Sequence, residues 1–210
     1  MNALLDRTRR FLEGPLGARP RVLLLAASLL LGAIYLAPLW RLTMFAPQYP
    51  DGLRMAIYSY KLEGGNGGQD IREINLLNHY IGMRDLVAED FNEFKWMPFV
   101  VGALGLLFLR AAVHGTIAHL VDVVVLYLYF AAFSLWSFAY KLYSYGHTLD
   151  PSAAVKVDPF MPPMFGFKQL ANFEVYSYPA AASYALGGVA LALAIAVFLA
   201  WRERAAPASP

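Results

Sequence analysis

Long apolar runs alternate with polar chain at Val22–Trp40, Met97–Val113, Ile117–Phe138 and Pro179–Trp201. A helix needs about 20 mostly apolar residues to cross a bilayer, and each run is close to that length. The pattern predicts an α-helical integral membrane protein with transmembrane helices over 22–40, 97–113, 117–138 and 179–201. Two longer polar segments, 41–96 and 139–178, hold most of the charge. Together they predict one small mixed α/β lobe outside the membrane.

Periodicity inside these segments predicts further elements. Residues 1–21 form a basic tail with a surface-lying helix near Leu4–Leu12. The stretch Ala46–Gly52 (APQYPDG) is turn-rich. Leu53–Leu62 alternates, with Leu53, Met55, Ile57 and Ser59 on one face and Tyr58 and Tyr60 on the other, as a strand does. Gly64–Gly68 predicts a flexible turn. Asp70 and Glu73 resemble a capping box, opening a helix from Ile71 to about Met83 whose apolar face is Ile74, Leu77 and Ile81. Val87–Lys95 is an acidic lead-in to the second span, where Pro98 is tolerated in a first turn. Segment 139–178 is rich in Pro, Gly and Tyr. It predicts extended chain and turns, pairing in part with the strand of the first segment.

Charge sets the orientation. Arg7, Arg9, Arg10, Arg19 and Arg21 precede the first span, Arg110 lies in the short turn after the second, and Arg202 and Arg204 follow the fourth. Only Asp6, Glu13 and Glu203 oppose them. Lys and Arg near span ends favour the cytoplasmic side, so the tails 1–21 and 202–210 are expected there and the lobe on the opposite side. Trp40, Trp96, Trp136 and Tyr140 fall at the expected outer boundary and Trp201 at the inner one, as amphipathic rings do. A cleaved signal peptide would also begin with basic residues and an apolar run. This run is long for a signal and has no clear small-x-small site before Trp40, so an uncleaved anchor is expected.

The net charge of +2 averages two compartments and decides little. The absence of cysteine decides more: disulfides, zinc–thiolate sites and CxxCH haem attachment are excluded. A metal would need His, Met, carboxylate or amide ligands. His79 and Met83 are four apart on the expected helix, hence on one face; imidazole with thioether suits cuprous copper. Met161 and Met164 flank two prolines, whose polyproline-like backbone repeats every three residues, so both thioethers point one way. His147 lies in Tyr145–Pro151, a turn-forming sequence that would display its imidazole. Each has a plainer explanation: a core or cap histidine, methionines packed at the membrane surface, a histidine tying down a turn. His114, His119, Asp122 and Arg110 cluster near the inner turn, where pairing or snorkelling explains them. No phosphate-binding loop, nucleophile elbow or HExxH is present. A scaffold, chaperone or subunit is expected rather than an enzyme, with the lipid bilayer and proteins as partners and no nucleic acid.

Four phrases carry a resemblance: MFAPQYPDGL from Met44, NLLNHYIGM from Asn75, YSYGHTLDP from Tyr143 and MPPMFGFKQLANFEVYSYP from Met161. They resemble small multispan membrane proteins encoded with clade II nitrous oxide reductases, the NosB-like accessory proteins. The similarity covers most of 35–200. It implies the bacterial inner membrane, a periplasmic lobe, and a role in nitrous oxide respiration: maturation, copper supply or docking of a periplasmic multicopper reductase, with that reductase or other proteins of its gene cluster as partners. It also makes His79, Met83, His147, Met161 and Met164 easier to read as copper-handling. Two alternatives stand beside it. One is a metal-free structural subunit of a respiratory complex, holding its partner by the aromatic lobe. The other is a quinone site formed by Tyr and His at the outer boundary.

Overall fold

A computed structural model describes residues 2–170 and 172–205. Helix α1 (Asn2–Leu12) precedes α2 (Ala18–Leu31) and the short α3 (Ala33–Leu36). Strands β1 (Trp40–Ala46), β2 (Tyr49–Ile57) and β3 (Leu62–Gly64) follow, then α4 (Gln69–Tyr80) and the long helices α5 (Glu93–His114) and α6 (Ile117–His147). The chain closes with β4 (Gly166–Leu170), β5 (Phe173–Pro179) and α7 (Ala181–Ala205). Four helical stretches are long and apolar enough to cross a membrane: Ala18–Leu36, Glu93–His114, Ile117–His147 and Ala181–Arg204.

The chain divides into two units. One comprises Met1–Ala33, Phe99–Ala131 and Ala185–Pro210. Its helices bury apolar residues at helical spacing: Leu24, Ala27 and Leu31; Val101, Leu104 and Phe108; Val189, Leu193 and Ala196. Polar groups here turn to backbone carbonyls. Ser28 Oγ donates to Gly105 O at 3.0 Å and Tyr127 Oη to Leu186 O at 2.6 Å, which spares a hydroxyl the cost of burial unpaired. Of the inner cluster, His114 and His119 stack with ring centroids 5.2 Å apart, and Thr116 bonds His119. Of the two explanations expected for Asp122 and Arg110, pairing or snorkelling, their exposure and the lack of an ion pair from either among the described residues favour snorkelling.

The second unit, Ile34–Pro98 with Ala132–Tyr184, is built on a five-stranded antiparallel sheet in the order β3-β2-β1-β5-β4. Leu42 and Met44 on β1, Leu53 and Met55 on β2, and Phe173 and Val175 on β5 face the core. Helix α4 covers that face with Ile74 and Leu77, and Ile81 follows its last turn.

Several expectations are corrected. The first apolar run is not helical to Trp40. Pro38 disfavours helix in the residue before it, the helix ends at Leu36, and Trp40 opens β1. The alternating WRLTMFA then pairs with both β2 and β5. The strand expected over 53–62 begins earlier, at Tyr49, and ends at Ile57. Segment 139–178 does pair with the first polar segment, but through β5 on β1 rather than on β2. Asp70 is not a cap. The helix starts after Gly68, and the buried Asp70 carboxylate accepts the Arg54 backbone N–H at 2.8 Å and the Asn66 amide at 2.8 Å, tying α4 to β2. The third apolar helix extends past Phe138 to His147. No proline interrupts it before Pro151; Tyr145 is buried against Phe91 and Asp90, and Gly146 against Phe160.

Candidate functional site

Of the five proposed copper ligands, two come together. His79 is exposed in the last turn of α4 and Met83 follows it, half-buried. Both line one surface recess with Asp85, Thr148 and Asp150. Gly82 makes this possible. Its φ of +78° suits glycine, and a Cβ there would stand 2.8 Å from Asp150 O. Asp150 N donates to Gly82 O at 2.8 Å, so the two walls are bonded to each other. The Asp150 carboxyl lies below its ordinary value because the Ser152 hydroxyl and amide both donate to it, and His79 adds a smaller pull.

The other three lie outside this recess. His147 is not in a turn but ends α6, stacked on Tyr143 at 3.8 Å, with Nδ1 2.9 Å from the Tyr143 carbonyl. Met161 and Met164 flank Pro162 and Pro163, both buried. Their carbonyls are engaged, Met161 O by Lys168 Nζ at 2.8 Å and Met164 O by Ser177 Oγ at 3.1 Å. The recess therefore gathers two of the five candidate ligands. Among the described residues no group of three or more His, Asp or Glu is placed to hold a metal ion.

A second feature is larger. The sheet face opposite the core is aromatic. Phe45 on β1 meets Tyr176 on β5 edge-on at 5.7 Å, and Phe167 on β4 meets the same Tyr176 at 5.0 Å. Beside them Phe165 and Tyr178 meet at 5.6 Å. Register puts them there: Phe167 lies opposite Tyr176, Tyr176 opposite Thr43, and Thr43 opposite Arg54. Phe165, Phe167 and Tyr178 are 67%, 51% and 45% exposed, far more than an aromatic cluster needs for its own packing. Arg41 and Arg54 lie in the same outward phase, exposed, with no bond or ion pair from either guanidinium among the described residues. Desolvation, then the charge of Glu174, holds the Tyr176 hydroxyl above its ordinary value.

Exposed aromatics with unpaired arginines are the composition of protein interfaces. The sequence signal for this face was present: Phe167 and the pair Tyr176 and Tyr178 occupy one phase of two alternating stretches, GFKQL and FEVYSYP. Fold and surface thus define a chain with four membrane-length apolar helices and an antiparallel sheet bearing an aromatic outer face. No family model, curated protein or solved structure matches it.

Proposed function

We propose that this protein is a non-catalytic membrane accessory protein of nitrous oxide respiration, whose sheet docks a periplasmic multicopper reductase. The observation that carries the docking role is the outward aromatic and arginine face of the sheet: Phe45, Phe165, Phe167, Tyr176 and Tyr178 with Arg41 and Arg54. The phrases quoted above, which resemble the NosB-like proteins, supply the partner.

Membrane insertion is part of the proposal. Leu29 and Phe99 are each 79% exposed and Leu106 69%, an apolar surface that soluble monomers rarely leave open and that lipid covers. The basic tails, and Arg110 near the end of α5, favour the cytoplasm, with the sheet then in the periplasm. Affinity purification from membranes of cells producing the reductase tests this reading. The unaltered chain is expected to retain the reductase, and Arg54→Glu with Phe167→Ala to lose it. Equal retention by both would overturn it.

A second reading rests on the shared recess. His79 and Met83 can offer imidazole and thioether to a cuprous ion, in a recess also lined by Arg84 and by the carboxylates of Asp85 and Asp150. Such a small, open ligand set suits transfer better than storage. Titration with cuprous ion under reducing conditions is expected to show uptake that His79→Ala with Met83→Ala abolishes. Equal uptake by both proteins would remove this reading and leave the docking role intact.

A further inference from the structure

The core of the second unit is not filled. Between the inner sheet face, α4 and residues 138–145 of α6 lies a cavity of about 90 Å3. Its walls are almost wholly carbon and sulfur, including the Met44, Met55 and Met83 thioethers and the Phe138 and Phe173 rings. One lining residue does not match them. Asn78 is 3% exposed, and its carboxamide makes no hydrogen bond among the described residues. Its backbone carbonyl accepts from Ile81 N and Met83 N at the end of α4.

The other polar residues as deeply buried as Asn78 are all partnered, although in less buried residues Ser134 Oγ, Glu93 Oε2 and Arg21 Nε also lack a hydrogen-bond partner among the described residues. Ser59 donates to Ile34 O at 3.0 Å, Asp70 accepts from Arg54 N at 2.8 Å, and Ser177 bonds both Trp40 Nε1 at 2.8 Å and Met164 O at 3.1 Å. Lys141 and Tyr145 also line the cavity, but their polar tips are engaged elsewhere. Lys141 Nζ donates to Asp90 O at 2.5 Å and Tyr145 Oη to Asp90 Oδ2 at 3.1 Å. A buried carboxamide left unpaired is costly and calls for a partner. Water is a poor one, because a buried water takes about 2–4 polar neighbours, and here one free side chain is on offer.

We propose that this cavity is a binding site for a compact apolar molecule bearing one carbonyl or hydroxyl oxygen, about the size of a single six-membered ring, whose oxygen bonds the Asn78 carboxamide. Small dry cavities of this order, about 150 Å3 in a well-studied case, take up single-ring ligands. The thioether walls add favourable ring contacts and adapt their shape. Met83 and Leu86 are half-buried at the cavity wall, so entry can proceed by moving side chains rather than opening the sheet. Met83 lines the His79 recess as well, so an occupant of the cavity presses on a residue of that recess.

The chain has seven methionines, which makes methyl-labelled methionine a direct probe of the full-length protein in nanodiscs. Titration with phenol is expected to shift the Met44, Met55 and Met83 methyl resonances saturably while Met161 and Met164 stay in place. Toluene, a ring without the oxygen, should shift the same three. In Asn78→Leu the apparent phenol affinity should fall about five- to tenfold, as loss of one hydrogen bond predicts, with toluene affinity undiminished. Asn78→Ser, which withdraws the amide without adding bulk, should show the same loss and serves if the leucine variant does not fold. Shifts at all methionines alike, which would mean partition into lipid, would overturn the proposal. So would no saturable shift with either probe, the mark of a dry or water-filled cavity, or phenol affinity unchanged in both variants.

Discussion

Phe45 meets Tyr176 edge-on across β1 and β5, ring centroids 5.7 Å apart at 89°, on the sheet face turned away from the core. The pair is diagonal, since Phe45 lies opposite Glu174 and Tyr176 opposite Thr43. Such cross-strand aromatic pairs stabilise a sheet by roughly 0.2–1 kcal/mol. A much larger aromatic surface than that pair stands exposed around it, and its proposed use is binding. Tyr176→Ala should therefore lower the unfolding midpoint of the sheet unit only slightly, by an amount in keeping with about 1 kcal/mol, and reduce reductase binding at least tenfold. Thermal unfolding and quantitative pull-down on the same preparation check both halves.

Asp70 holds α4 to β2 by a charge-assisted bond to the Arg54 backbone N–H at 2.8 Å. Asp70→Ala leaves that buried donor and the Asn66 amide without their acceptor, a loss on the order of 1–3 kcal/mol. The expected result is a lower thermal midpoint together with faster amide exchange in β2 and the first turn of α4. A change confined to α4 would count against the tie.

Gly146 sits against the Phe160 backbone carbonyl, and Phe160 N donates back to Gly146 O at 3.0 Å. An added Cβ would collide with that carbonyl. Gly146→Ala should release the chain around Phe160 and cost about 1–3 kcal/mol, the usual range for overpacking. Limited proteolysis should show new cleavage between Thr148 and Met164, with the rest of the pattern unchanged.

Acid should weaken the contact of β2 with α4. Tyr49 Oη donates to the Glu73 carboxylate, which, with a smaller contribution from Gln69, holds that carboxyl below its ordinary value and raises Tyr49 above its own. A lowered folded-state carboxyl stabilises above its unfolded value of about 4.3, and the benefit is lost as pH falls through the lower folded value. The raised tyrosine acts at the other end: its contribution is present below about 10 and lost as pH climbs through the folded value. The thermal midpoint measured across pH should fall at both limits, and Glu73→Gln should flatten the acid limb. An unchanged acid limb in that variant would show that other carboxyls govern it.

Much of the fold was legible because its signals are strong and local. Ile74, Leu77 and Ile81 recur at helical spacing, and α4 is found there. The apolar runs are long enough that no other element explains them. Strand β1 was hidden because WRLTMF follows an apolar helix without a polar break, and only Pro38 marks the change. Asp70 and Glu73 look like a capping box by spacing, but the real start of α4 is set by Gly67 and Gly68 at φ of +65° and +94°, which frees Asp70 to serve β2. The candidate ligands separated for a tertiary reason. His79 and Met83 are close in sequence and share a helix end, whereas bringing Met161 and Met164 to them depends on the path of the chain after α6. The free carboxamide of Asn78 had no sequence signature, since nothing in NLLNHY says which polar residue lacks a partner.

The central claim is that the outer sheet face binds the reductase, and a photo-crosslinking residue at position 167 tests it most directly. With p-benzoylphenylalanine in place of Phe167, irradiation of intact cells should yield one adduct between this chain and the periplasmic reductase, lost when Arg54→Glu is added. A crosslinker at Leu76, exposed on α4, should give none. Adducts with lipid alone at position 167, or reductase adducts of equal yield from positions 76 and 167, would contradict the account.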